Sequence, residues 1–141
     1  MMTTQIDGSA PDLYQAAQRR ATPEQVLESI VDGINAGNLD ALMTLYEPKA
    51  AFATQPGHLS HGLPGVREAL GGFIAMNGKL DLNVKRVLEV GDLALVITTW
   101  SFEGTGTDGQ PVTLAAQSAD VLRRQPDGSW RLVIDNPWGT E

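Results

Sequence analysis

The spacing of apolar residues changes once along this chain. From Thr22 to Met76 they recur every three or four positions, and from Lys79 onward every second position. The first half therefore predicts helices. Val26, Leu27, Ile30, Val31 and Ile34 fall on one face of a helix opened by Thr22-Pro23-Glu24-Gln25. That tetrad offers a capping threonine, a proline at the first helical position and a glutamine able to close a capping box. Asn35-Ala36-Gly37 ends the helix, because glycine accepts the left-handed conformation there. Asn38 can cap a second helix, Leu39 to Tyr46, which Pro48 prevents from continuing. A third helix is predicted from Pro64 to Met76, with Val66, Ala69, Leu70, Phe73 and Ile74 facing inward. Its Gly71-Gly72 pair, at a cost of about 1 kcal/mol each relative to alanine, suggests close packing or a bend. Between the second and third helices, Ala50 to Ala53 reads as a short strand and QPGHLSHGLPG as a loop. Residues 1–21 read as a loosely held arm, with a possible helical turn around Leu13 to Arg20, ahead of a single domain over 22–141.

The second half predicts strands. Leu80, Leu82 and Val84 alternate with polar residues; Gly91-Asp92 makes a turn; Leu93 to Glu103 and Val112 to Arg124 are long β-rich runs; Ser129 to Asn136 is the last strand. Helices first and a meander of long strands afterwards make an α+β fold. Long strands curve, so the expected architecture is a cone: a strongly curved antiparallel (mixed) sheet whose concave face is covered by the three N-terminal helices. The apolar interior of such a cone is a natural ligand cavity.

Composition narrows the function. The 141 residues carry a net charge of −7, with 42% apolar and 19% charged residues. An acidic chain with scattered basic residues has no nucleic-acid footprint. Without cysteine there is no disulfide and no thiolate chemistry. No apolar run is long enough to span a membrane, and residues 1–20 do not look like a secretory leader, so a cytoplasmic location is expected. Phosphate-loop, dinucleotide and nucleophile-elbow motifs are missing, and no cofactor is expected.

IVDGINAGNLDALMTLYEPKAAF, HGLPGVREAL, WSFEGTGTDG and VLRRQPDGSWRLVIDNPW resemble the nuclear transport factor 2-like superfamily, and within it the SnoaL-like and ketosteroid-isomerase-like small proteins. The resemblance runs from about residue 22 to 138. It implies the same cone, often a homodimer through the sheet, and functions ranging from isomerases, cyclases, dehydratases and epoxide hydrolases to plain binding or assembly modules. Fold does not choose among these. Carried over without gaps, the general base of the ketosteroid isomerases falls on Thr54, which cannot abstract a proton at neutral pH. Their oxyanion tyrosine falls on Ile30, and their protonated aspartate on Asp120.

Asp120 is thus the leading acid–base candidate. Its neighbours Ala116, Ala119, Val121 and Leu122 are apolar, and burial there would raise its pKa. The alternative is a solvent-facing aspartate paired with Arg123 or Arg131. A second polar group depends on the register of the last hairpin. A two-residue Asp127-Gly128 turn sets position 120 opposite 135, so that Asp120 and Asp135 share a face; the family carry-over favours this register. A type I turn over Gln125 to Gly128 with a glycine bulge sets 120 opposite 134, so that Asn136 faces with Asp120. A one-residue slip exchanges the two. Tyr46, Trp100 and Phe102 match cavity-lining positions of the family, with Trp138 at the mouth; aromatic walls suit a planar apolar ligand. His61 is a candidate acid or base at the cavity mouth. His58 and His61 together could ligate a metal only with a carboxylate and a fixed geometry, so no metal is assigned. The expected protein is a homodimer that binds a small apolar molecule and can perform isomerase-, cyclase- or dehydratase-like acid–base chemistry on it, with Asp120, Asp135 and His61 catalytic and Tyr46, Trp100, Phe102, Asn136 and Trp138 binding. The alternative is a non-catalytic binding or assembly module.

Overall fold

The Thr22 hydroxyl accepts the Gln25 amide N–H at 3.1 Å, and the Gln25 side chain accepts the Ala21 amide at 3.0 Å. This reciprocal cap starts α1 (Pro23–Ala36) in the computed structural model, which describes residues 19–141. The expected helical turn around Leu13 and most of the expected arm lie outside the described residues. Gly37 ends α1 at φ +67°, and the Asn38 side chain accepts the Ala41 amide to open α2 (Leu39–Met43). These signals act as predicted. α2 is shorter than predicted, because the Thr44 hydroxyl donates back to the Ala41 carbonyl and the buried Leu45 and Tyr46 turn into a strand.

That strand, β1 (Tyr46–Gln55), runs well beyond the expected Ala50–Ala53. Pro48 sits inside it, where the register against the neighbouring strand slips between Tyr46 and Ala51. A residue without an N–H fits such an irregularity. The expected HLSH loop is instead β2 (His58–His61), which folds back on β1 through Pro56-Gly57, with Gly57 at φ +78°. The chain continues through α3 (Gly62–Ala75), β3 (Lys79–Val90), β4 (Leu93–Thr105), β5 (Pro111–Arg124) and β6 (Trp130–Asp135).

The six strands make one sheet in the order β2-β1-β6-β5-β4-β3. All pairs are antiparallel except β1–β6. α1 packs mainly on β3 and α3 on β1, near opposite ends of that order, yet the two helices also touch. The sheet must therefore curl around them without closing. The expected α+β cone is present, with its core on the concave side. Where α1 meets α2, a Cβ on Gly33 would come within 2.5 Å of the Leu42 side chain, so any larger residue would force Leu42 to shift. The Gly71-Gly72 pair does not behave as expected: a Cβ on Gly71 would just reach Leu39, and one on Gly72 would meet open space. Asn35 at the end of α1 hydrogen-bonds both ways with the Leu80 backbone, at 3.0 and 2.8 Å, tying the helix to β3.

Candidate functional site

The register of the last hairpin decides which polar side chain enters the cone. The turn is the second of the two predicted: the Gly128 amide donates to the Gln125 carbonyl, Gly128 has φ +87°, and Leu122, Arg123 and Arg124 face Leu132, Arg131 and Trp130. Farther along, a bulge at Val133 shifts the pairing, so that Val121 faces Ile134 and the Ala119 amide reaches the Asn136 carbonyl at 3.0 Å. Asp120 therefore stands opposite Asp135, as in the first register. An extra residue in one strand reverses every later side chain, and here it brings two carboxyls onto the concave face.

Both carboxyls are buried. They face each other across β5 and β6, and each carboxyl bears on the other's ionisation. The Tyr46 hydroxyl donates to Asp135 Oδ2 at 2.5 Å. The Asn136 amide donates to Asp120 Oδ1 at 2.8 Å, and the Ser118 hydroxyl to Asp120 Oδ2 at 3.2 Å. The Thr98 hydroxyl is hydrogen-bonded to Ser118 in turn, so a row of polar groups runs Thr98–Ser118–Asp120–Asp135–Tyr46 through an otherwise apolar interior. Burial, and then the neighbouring Asp135 charge, holds Asp120 well above the ordinary carboxylate range, outweighing the Asn136 and Ser118 donors. Burial pushes Asp135 up to about 6, the Tyr46 and Asp120 hydrogen bonds opposing it. Burial and the Asp135 charge raise Tyr46 as well. Two neighbouring buried carboxyls titrate as one unit.

The pair forms the floor of a narrow cleft. α1 supplies Leu27, Ile30 and Ile34; α3 supplies Leu70 and Phe73; the sheet adds Phe52, Leu80, Leu82, Trp100 and Phe102. Phe73 packs edge-on to Trp100 and Phe102, with ring centres 6.5 and 5.4 Å away. The Trp100 indole N–H is held by the Pro137 carbonyl at 2.7 Å. The cleft volume is about 50 Å³, room for roughly four waters. The apolar cavity expected from the sequence is thus present only as a narrow cleft.

Of the candidate residues, Asp120, Asp135, Trp100 and Phe102 meet in this cleft. Tyr46 lies behind Asp135 and orients it instead of lining the wall. Asn136 contributes its backbone N–H, while its side chain turns away to the Gly139 carbonyl. Trp138 packs edge-on against Trp100 with its N–H on the Ala53 carbonyl, outside the cleft lining. His61 is exposed on β2, away from the carboxyls. His58 and His61 are three residues apart on a strand and so point to opposite faces. Thr54 is exposed, and Ile30 lines the cleft. Ser118 and Thr98, which extend the row behind Asp120, were not among the candidate residues. Ser118 shares the parity of Asp120 on β5, and that was the available signal.

Comparison with known proteins agrees with this architecture. Residues 27–133 match the family model described as the SnoaL-like domain. The chain belongs to the SnoaL-like domain family. Among curated proteins, none matches this SnoaL-like chain. Solved structures share its fold at low identity. A nuclear transport factor 2-like superfamily protein from Salmonella enterica serovar Typhimurium has TM-score 0.69 and 17% identity, covering 94% of each chain. A Thiobacillus denitrificans protein named for the association domain of calcium/calmodulin-dependent protein kinase type II has TM-score 0.69 and 20% identity, over 87% of this chain and 98% of that one. A ketosteroid isomerase-like protein from Erwinia carotovora atroseptica has TM-score 0.65 and 19% identity, over 75% and 84%. No helix among the described residues is long and apolar enough to cross a membrane.

Proposed function

We propose that this SnoaL-like domain binds a small, mostly apolar molecule between α1, α3 and the concave sheet, and acts on it by acid–base chemistry without a cofactor. One observation carries the reading: two buried carboxyls side by side at the floor of an apolar cleft. Asp120, held above the ordinary carboxylate range, can donate a proton to the ligand, while Asp135, poised near 6, can accept one. Tyr46 holds Asp135 in place, and Ser118 with Thr98 holds Asp120. Isomerisation, cyclisation and dehydration need this donor–acceptor pairing and little else. His61 plays no part in this reading. Carboxyl-carbon NMR across a pH titration tests it: Asp120 should titrate well above the ordinary carboxylate range, and an ordinary value would overturn the acid–base role.

A homodimer through the sheet, in the cytoplasm, belongs to the same proposal. Leu88, Leu95, Val121 and Ile134 form a cross-strand row on the convex face, and Leu88, Leu95 and Ile134 are exposed. Such a row suits burial against a second copy. The narrowness of the cleft favours a second reading, a non-catalytic binding or assembly module, to which the name of the Thiobacillus relative also points. Under that reading the carboxyl pair is structural, and replacing both carboxyls by amides would leave every ligand interaction unchanged.

A further inference from the structure

Once one of its two protons has left, the carboxyl pair carries a negative charge that the cleft does not neutralise. Tyr46, Ser118 and the Asn136 amide donate hydrogen bonds to it, but they are dipoles, not counter-charges. Among the described residues, no lysine, arginine or histidine lines the cleft. Arg123, on the same strand as Asp120 but of opposite parity, is taken up by Glu47 at 3.0 Å. From α1, α3, β3 and β4 the residues that line the cleft are all uncharged, so among the described residues Tyr46 is the one further titratable group touching the pair. A buried charge without a counter-ion is costly, and its site selects whatever supplies one.

Resting on the cleft reading above, we infer that the ligand is a small apolar primary amine, bound as its ammonium ion, whose N–H groups donate to the Asp120–Asp135 pair while its hydrocarbon lies against Phe52, Phe73 and Trp100. An ammonium has donors only, and carboxylate lone pairs only accept, so the two sides are complementary. An anion of the same shape would add a second negative charge to a dry site. A neutral alcohol can hydrogen-bond but leaves the existing charge uncompensated. Aromatic rings tolerate a cation better than aliphatic walls do. The volume near 50 Å³ admits a short, branched chain as the cleft stands; a longer tail would leave past the half-buried Phe73 and Leu82.

Isobutylamine, isobutanol and isobutyrate are matched in shape and differ in charge, and the Trp100 indole N–H is an NMR reporter inside the cleft. At about pH 7.5 the amine is still protonated while Asp135 has lost its proton. There the amine should bind at least about tenfold tighter than the alcohol, the scale of a charge-assisted hydrogen bond, and isobutyrate should not bind. At about pH 5 the amine is unchanged and the pair is neutral, so the advantage should vanish. Asp135→Asn should abolish it at either pH; the pH arm needs no variant and stands even if that protein fails to fold. An alcohol as tight as the amine, or an advantage that persists at the lower pH, overturns the inference and leaves the cleft reading intact. If none of the three moves the indole resonance the inference is also overturned, and if Asp120 then titrates as an ordinary carboxyl the cleft reading falls with it.

Discussion

Asp120 and Val121 are neighbours on β5, and Ile134 and Asp135 are neighbours on β6, yet each pair is sorted against the usual rule. The two carboxyls face the core and the two aliphatics face out, Ile134 with 37% of its surface exposed. On the inner face the surrounding residues are ordinary: Leu122 and Val96 are fully buried and pack as any core does. The outer face shows the reverse, with an apolar row on a surface that could have been polar. Most exposed apolar residues mean nothing singly, whereas buried carboxyls and contiguous apolar rows need an explanation. Under the proposed function the inner exception serves chemistry and the outer one a partner. They should therefore respond differently when broken.

The largest effect belongs to the ordinary part of the inner face. Leu122→Ala should cost about 2–5 kcal/mol by chemical denaturation, because it opens a cavity beside Asp120 that the curled sheet cannot collapse. Next comes the carboxyl pair, whose effect depends on pH. Asp135 is raised from its ordinary 3.8 to about 6 in the fold, so the folded state holds a proton that the unfolded chain releases. That stabilisation is complete below about pH 4 and is lost as pH rises through about 6, amounting to about 3 kcal/mol. Asp120 is raised too, so its contribution has the same sign and is lost at still higher pH. Asp127 runs the other way: Ser129 holds it below the ordinary range, and its contribution disappears as pH falls. Thermal melts of wild type and Asp135→Asn isolate the pair. The difference between them should grow in favour of the variant from about pH 4 to about pH 7, and parallel curves would show that Asp135 is not perturbed.

How much of this could be read from the sequence follows from where each signal resides. Thr22, Gly37 and Asn38 act on their own backbone within a few residues, so the start and end of α1 and the start of α2 were legible. The alternation from Leu80 onward was equally local, and it implied the curled meander. β2 was missed because His58 to His61 owe their extended form to pairing with β1, not to any period of their own. Pro48 argued against a strand and was accommodated by a slip in register. In the site, Asp120 was legible from its apolar neighbours. The choice between Asp135 and Asn136 was not, because it rests on the bulge at Val133, which no turn signal announces. Tyr46 was assigned to the wall because it matches a cavity-lining position of the family, but only the three-dimensional position of Asp135 shows that its hydroxyl is a second support for the pair.

Tyr46 gives the next effect in size. Tyr46→Phe deletes one donor to Asp135 while filling the same space. Its cost should be about 1–3 kcal/mol at about pH 8, where Asp135 is charged, and smaller at about pH 4.5, where the carboxyl can keep its proton. Because the Tyr46 hydrogen bond lowers the Asp135 pKa, its loss should also move that pKa above about 6. NMR titration of Asp135 reads this directly, and a pKa that fell or stayed in place would show that the hydroxyl does not stabilise the charged form.

The smallest effect on folding is expected on the outer face, and its smallness is what makes it informative. Leu95 lies between Leu88 and Val121 in the cross-strand row and is 36% exposed. Truncating a side chain already half in water removes little buried area, so Leu95→Ala should change the stability of the isolated chain by no more than about 0.5 kcal/mol. If the row is covered by a second copy, the same substitution removes buried surface at the interface. Leu95→Glu in addition places like charges opposite each other across a two-fold interface, where every change occurs twice. Sedimentation of the wild type should then show a dimer, and of Leu95→Glu a monomer with an unchanged melting curve at low protein concentration. A wild type that sediments as a monomer at all concentrations would remove the second copy as the reason for the apolar row, and would leave the inner face as the only part of this sheet whose inversion has a functional cause.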